Sequence, residues 1–229
     1  MKTLIIIPAY NESASIERVA DNIRNNYSQY DFIVINDGSR DATADICRKN
    51  GYPLIDLPVN LGLAGAFQTG MRYAKKMGYD RVVQIDADGQ HDPAYLAAME
   101  AEMTASGADI VIGSRFVERE KSMSMRMLGS RMISFAIRLT TGKRLTDPTS
   151  GMRLYNRAMI GRFADHINYG PEPDTVSYLL RNGASVSEVQ VEMAERMAGK
   201  SYLTLSKSVL YMLHMFVSIL CLQMFRLKE

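Results

Sequence analysis

Four short apolar runs, each ending in a polar loop, alternate with helical patterns and decide what this chain can fold into. Leu4 to Ile7 ends at Pro8, and Asn11-Glu12-Ser13 then opens a pattern with Ile16, Val19, Ala20 and Ile23 at helical spacing. Phe32 to Ile35 ends in the acidic, turn-rich Asn36 to Asp41, where Asp41 or Thr43 can cap the next helix. Pro53 to Leu57 reads as a short strand. Asn60 to Gly65 leads into a helix through Phe67, Met71, Ala74 and Met77. Val82 to Ile85 is a third such run, Ala94 to Ala105 a helix, and Asp109 to Ile112 a strand that runs into Gly113-Ser114-Arg115. Strands alternating with helices predict βαβ units and a mainly parallel sheet, which binds ligands at the carboxyl ends of its strands. Four polar clusters fall there: Pro8 to Glu12, Asn36 to Gly38, Asp86 to Asp88, and Gly113 to Arg115.

The run Val82 to Ile85 is followed by Asp86-Ala87-Asp88-Gly89-Gln90-His91-Asp92-Pro93. On an extended backbone Asp86 and Asp88 share a face. Adjacent carboxylates repel unless a cation lies between them, and hard oxygen ligands suit Mg²⁺ or Mn²⁺ with a phosphate completing the shell. Gln90 can add a carbonyl oxygen. The alternative is a polar turn after a strand.

Composition narrows the class. The 229 residues are 47% hydrophobic and 23% charged, enough apolar material for a globular α/β core. A net charge of +2 gives no sign of nucleic-acid binding. Cys47 and Cys221 lie far apart, with neither metal nor disulfide spacing. The N-terminal apolar run is too short for a signal-peptide core.

Together the motifs IIIPAYNE (5–12), INDGSRDAT (35–43), NLG (60–62), DADGQHDP (86–93), GSR (113–115), DPTSGMRLY (147–155) and ERMAGKS (195–201) resemble the family 2 glycosyltransferases, and within them the polyprenyl-phosphate sugar transferases. The resemblance implies a three-layer α/β/α nucleotide-diphospho-sugar transferase fold of GT-A type. It implies that Pro8, Tyr10, Glu12, Ile35 and Asp37 hold base and ribose. Asp86, Ala87, Asp88 and Gln90 would hold the diphosphate through Mg²⁺ or Mn²⁺, and Arg115 and Arg196 would hold phosphate. One departure stands out: Ser201 is followed by Tyr202, where the family usually has Lys. Absence of Trp excludes the QxxRW motif of processive synthases.

The acceptor side differs in character. Lys121, Arg126, Arg131, Arg138, Lys143 and Arg144 follow one another without an acid, and Leu128, Met132, Phe135 and Leu139 form an apolar stripe at helical spacing. Such a helix lies at an anionic membrane surface or packs on the sheet with a solvated basic face. Asp147 and Asp88 are the catalytic candidates; Asp147 matches the family's acceptor-side carboxylate, with Glu172 and Asp174 as rivals. A polyprenyl phosphate, whose second pKa is about 6, is largely dianionic at neutral pH and needs little help from a base. Val209 to Phe225 is apolar apart from His214, Ser218 and Gln223, and Lys207, Tyr211, His214 and Ser218 recur as a narrow polar seam. It reads as an amphipathic helix that packs on a second copy of the chain or lies in the membrane interface, with a true membrane span as the lesser alternative, since seventeen residues fall short of the roughly 20 a span needs.

The expected organisation is a catalytic domain over 1–204, with a nucleotide-sugar half (1–115) and an acceptor half (116–204), then a C-terminal helix over 205–229. The expected function is metal-dependent, inverting transfer from a GDP- or UDP-linked sugar to a polyprenyl phosphate, by a cytoplasmic protein peripheral on the inner face of the membrane. The alternatives are transfer to a glycan or soluble acceptor, and a non-catalytic nucleotide-sugar-binding partner of a membrane protein.

Overall fold

The computed structural model describes residues 1–119, 121, 125–166, 170–194 and 205–221, the side chains of 125, 126 and 205–209 excepted. Its strands are β1 (Thr3–Ala9), β2 (Asp31–Asn36), β3 (Leu54–Asp56), β4 (Arg81–Gln84), β5 (Ile110–Ser114), β6 (Arg153–Asn156) and β7 (Val186–Gln190). They form one sheet in the order β3-β2-β1-β4-β6-β5-β7. The sheet is parallel except at β6, which runs antiparallel to both β4 and β5. The mainly parallel α/β fold read from the alternation is therefore present. The antiparallel strand was not anticipated, because Arg153–Asn156 is four residues long and runs straight into a helix. It inserts a strand from beyond residue 116 between two from before it, so one sheet carries both halves of the chain.

The helices are α1 (Ile16–Asn26), α2 (Thr43–Lys49), α3 (Gly62–Met77), α4 (Leu96–Ser106), α5 (Met125–Thr141), α6 (Arg157–Asp165), α7 (Pro173–Arg181) and α8 (Leu205–Leu220). One turn of 3₁₀ helix, Pro93–Tyr95, precedes α4 and is capped by the Asp92 carboxylate, which accepts from the Ala94 N–H.

Strand alternation divides the core into two layers. Leu4, Ile6, Ile33, Ile35, Val82, Ile110 and Ile112 face α3, α5, α6, α7 and α8; Ile5, Ile7, Val34, Val83 and Val111 face α1 and α4. Both faces of the central strands are buried, which is why they read as unbroken apolar runs. On the first face α3 lies so close to β1 that a Cβ on Gly70 would come within 2.6 Å of Ile6 Cδ1. Beside that contact Phe67, Tyr155 and Phe163 form a ring cluster with centroids 5.1–5.5 Å apart.

Helix α5 has two apolar faces. Ile133, Ala136 and Ile137 pack into the core. The stripe recognised in the sequence faces outward instead, with Phe135 62% and Leu139 66% exposed. Helix α8 packs on α5 and α7, and a Cβ on Gly129 of α5 would meet Met212 Cγ at 2.7 Å. Met215 and Ile219 of α8 are buried, whereas Leu210, Leu213 and Val217 are exposed. Among the described residues no helix is long and apolar enough to cross a membrane.

Phe67 is fully buried in this cluster. Phe67→Ala is expected to cost about 3–5 kcal/mol, read as a lower urea midpoint with an unchanged slope.

Candidate functional site

The carboxyl ends of β1 and β2 are tied together by their loops. Asn11, the one described non-glycine residue at positive φ (57°), donates its N–H to Ser39 Oγ and accepts the Arg40 N–H on its side chain. The Glu12 N–H donates to Thr43 Oγ1 at 2.9 Å, and the Ser13 N–H to Asp41 Oδ2 at 3.0 Å. Asp37 is buried; its Oδ1 accepts the Leu61 N–H at 2.7 Å and so draws in the loop before α3. Gly38 has φ 65°, and a Cβ there would lie 2.6 Å from Asn60 N, so this junction of three loops demands glycine. Pro8 and Tyr10 are half-buried at the end of β1. The Ile35 and Ala87 side chains are buried in the core, leaving only their main chains available to a ligand.

At β4 the chain leaves the ladder one residue earlier than the apolar run suggests. The Ile85 N–H still reaches Ile6 O, but the Asp86 N–H turns to His91 Nδ1 at 3.1 Å. Residues 87 and 88 are a turn, so the extended spacing that put Asp86 and Asp88 on one face does not apply. Asp86 lines a cavity of about 620 Å³ and keeps 40% of its side chain exposed; its Oδ1 accepts from Gln84 Nε2. Gln90 lines the same cavity. Asp88 is buried outside that lining, and its Oδ1 accepts the Gln90 N–H at 3.0 Å. His91 receives the Asp86 N–H on Nδ1 and so helps to turn the chain out of the ladder.

Among the described residues no group of three or more His, Cys, Asp or Glu side chains is disposed to hold a metal. An open carboxylate and an amide carbonyl at one cavity wall nonetheless fit a Mg²⁺ or Mn²⁺ whose remaining ligands are phosphate oxygens and water.

Opposite this wall stands Arg115, at the end of β5. Asp147 is 0% exposed and grips it bidentately, with Nε–Oδ2 2.6 Å and Nη2–Oδ1 2.9 Å. Thr149 Oγ1 donates to the same Oδ1. Glu188 of β7 accepts the Thr146 and Asp147 N–H groups and locks the loop. Both Asp147 oxygens are thus committed to fixing Arg115, and it is Arg115, not Asp147, that reaches the cavity. This arrangement orients a cation; it does not leave a carboxylate open to take a proton.

The remaining walls come from helices α5, α7 and α8. Glu172 lines the cavity, and its carboxylate accepts from the Tyr211 hydroxyl. Burial, then the Glu172 charge, raises the Tyr211 phenol far above the ordinary tyrosine range, so it stays a donor. Ser218 Oγ donates to Asp174 Oδ2 at 2.8 Å. The polar seam of the C-terminal helix therefore points two of its hydroxyls at the two rival carboxylates, while His214 is exposed. Arg196, Lys200, Ser201 and Tyr202 lie outside the described residues.

Arg153 was not singled out by the sequence. It is 1% exposed at the cavity floor, yet no carboxylate among the described residues pairs with it. Its guanidinium donates to Ser150 O, Pro148 O, Pro171 O and Glu172 O, joining the loop after Asp147 to the loop before α7. The only sequence signal was its place inside DPTSGMRLY. Glu188 gave none, since a Glu in a short alternating strand reads as solvent-facing.

Comparison with known proteins bears on this geometry. The profile described as Glycosyl transferase family 2 matches residues 4–163. The undecaprenyl-phosphate mannosyltransferase of Micrococcus luteus is 34% identical over 215 residues, 88% of this chain and 87% of that protein. The polyprenol monophosphomannose synthase of Mycolicibacterium smegmatis is 28% identical over 213 residues, 87% of this chain and 80% of that one. The structure of glucosyl-3-phosphoglycerate synthase from Mycobacterium tuberculosis, with Mn²⁺, uridine diphosphate and glucosyl-3-phosphoglycerate, aligns with a TM-score of 0.68 over 95% of this chain and 79% of that chain. At 22% identity this is a likeness of fold.

Removing the Arg153 guanidinium relieves its desolvation but orphans carbonyls in two loops at about 1–3 kcal/mol each. Arg153→Met is expected to lower stability by about 3 kcal/mol in urea unfolding. Arg153→Lys, which keeps the charge without the fork, is expected to recover only part of that loss.

Proposed function

Because the chain belongs to glycosyl transferase family 2, we propose that it moves a sugar from a GDP- or UDP-linked donor to a polyprenyl phosphate at the cytoplasmic surface of a membrane. One observation carries this reading. The cavity has an open carboxylate (Asp86) and a fixed cation (Arg115) on its polar side, while Met127 and Met212 of α5 and α8 wall its other side. The same two helices expose apolar stripes outward. Charged groups for phosphates thus adjoin a surface suited to lipid. The two curated relatives, named for polyprenyl-phosphate and polyprenol substrates, support it.

On this reading the loops at Pro8, Tyr10, Glu12 and Asp37 cradle the nucleoside, with Ile35 and Ala87 contributing main chain only. Asp86 and Gln90 hold the divalent ion, and Asp88 shapes the turn that presents Gln90. When bound, the ion offsets charge on the diphosphate as it leaves. Arg115 faces phosphate and, being locked by Asp147, loses little freedom on binding. An oxygen of the acceptor phosphate attacks the anomeric carbon as the bond to the diphosphate breaks. The products are a lipid phosphosugar and a nucleoside diphosphate, with inversion at that carbon. The dianionic acceptor carries no proton to remove, which agrees with an Asp147 committed to Arg115 and a Glu172 capped by Tyr211. The exposed stripes of α5 and α8 give peripheral attachment; the alternative use of α8, pairing with a second copy, would appear as a dimer in sedimentation.

Two results are expected. Asp86→Asn abolishes the Mn²⁺-dependent part of nucleotide binding in calorimetry and leaves the melting temperature of the free protein intact. Asp147→Asn lowers kcat/KM about ten- to hundredfold through the loosened Arg115, without removing the acid limb of the pH–rate profile. Loss of that limb would make Asp147 the general base. Transfer to soluble sugars or phosphates but not to short-chain polyprenyl phosphate would replace the lipid reading with a soluble-acceptor one.

A further inference from the structure

A second concavity, of about 800 Å³, shares no lining residue with the first among the described residues. It lies between Phe116 to Arg119 and Lys121 after β5, one side of α5, and Arg144 to Thr146. Among the described residues five cations line it, Arg119, Lys121, Arg131, Arg138 and Arg144, with Glu118 as the acid. Arg119 is already paired with Glu192. Arg138 and Arg144 have no carboxylate partner among the described residues. Lys121 is held at the wall by Ser130 Oγ (2.8 Å) and Ser134 Oγ (3.3 Å), with its ammonium 5.4 Å from the centre of the Phe116 ring. Arg131 is fixed by its bond to Lys121 O. Lys121 and Arg131 are thus set in position, and Arg138 and Arg144 line the same hollow with their charges uncommitted to a described carboxylate, which makes a concave anion site rather than a diffuse basic face.

The occupant follows from what borders the hollow. Phe135 lines it and also belongs to the exposed stripe Leu128–Met132–Phe135–Leu139; Val117, on the facing wall, is exposed as well. A free phosphate needs the cations but not the apolar border, whereas a phospholipid uses both. We propose that this groove binds the headgroup of an anionic phospholipid, with the acyl chains along the α5 stripe, as a docking site separate from the catalytic cavity. The inference rests on the membrane reading of the function but not on which acceptor receives the sugar.

The test uses the full chain with a short-chain phosphatidylglycerol below its micelle concentration, and the matching phosphatidylcholine as control. Saturable calorimetric binding is expected for the first and none for the second. The double variant Arg138→Ala/Arg144→Ala is expected to weaken the phosphatidylglycerol affinity about tenfold or more and to reduce flotation with phosphatidylglycerol-containing vesicles. Its melting temperature and its transfer to a water-soluble, short-chain polyprenyl phosphate should stay unchanged. Equal binding of both lipids, an unaltered affinity in the variant, or equally tight binding of glycerol phosphate would overturn the proposal. Loss of transfer in solution would do the same, by making the groove part of the acceptor site. A wild-type protein that binds phosphatidylglycerol through these arginines but transfers no sugar leaves the groove assigned and sinks the catalytic reading instead.

Discussion

One buried guanidinium ties the acceptor side of this protein together. Arg153 sits on the antiparallel strand, in register with Gln84, the residue that donates to Asp86. From there it reaches four main-chain carbonyls in two loops, those of Pro148 and Ser150 and those of Pro171 and Glu172. Burying an unpaired cation costs several kcal/mol, and bonds to a charged donor return about 1.5–3 kcal/mol each, so the arrangement holds only if the loops stay in place. The insertion of one reversed strand between β4 and β5 makes this possible. It sets the base of the Arg153 side chain beside the strand that leads to Asp86, and brings Arg115 across from it at the end of the neighbouring strand.

The same economy of placement governs Arg115. Its partner Asp147 is itself held through its main chain by Glu188, on the outermost strand of that edge. A cation thus points into the cavity under the control of a strand that contributes no described residue to the cavity lining. Charges fixed in this way need little reorganisation when a phosphate arrives, and this is what gives a preorganised site its advantage over water.

How much of this could be read from residues alone depended on whether the signal was local. The βαβ half was legible because its strands are buried on both faces and its helices have one clear apolar side, as Ile16, Val19, Ala20 and Ile23 show. The polar loops at the strand ends were legible for the same reason. The disposition of Asp86 and Asp88 was misread, because a turn begins where alternation was assumed. The stripe on α5 was found, but its direction was not, since Ile133, Ala136 and Ile137 offer a second apolar face of equal merit. Arg153 and Glu188 were missed because their roles are set by partners distant along the chain, such as Pro171 for the first and Asp147 for the second. No window of sequence contains both members of such a pair.

In the sequence reading the catalytic domain ends at residue 204, and helix α8 stands apart from it. Its inward hydroxyls say otherwise. Tyr211 and Ser218 cover the carboxylates of Glu172 and Asp174, beside a cavity whose other charged groups suit phosphate. Without the helix those two anions would each lose a donor, and Met212 would no longer fill the notch at Gly129. The last helix therefore belongs to the wall of the cavity and to its charge balance.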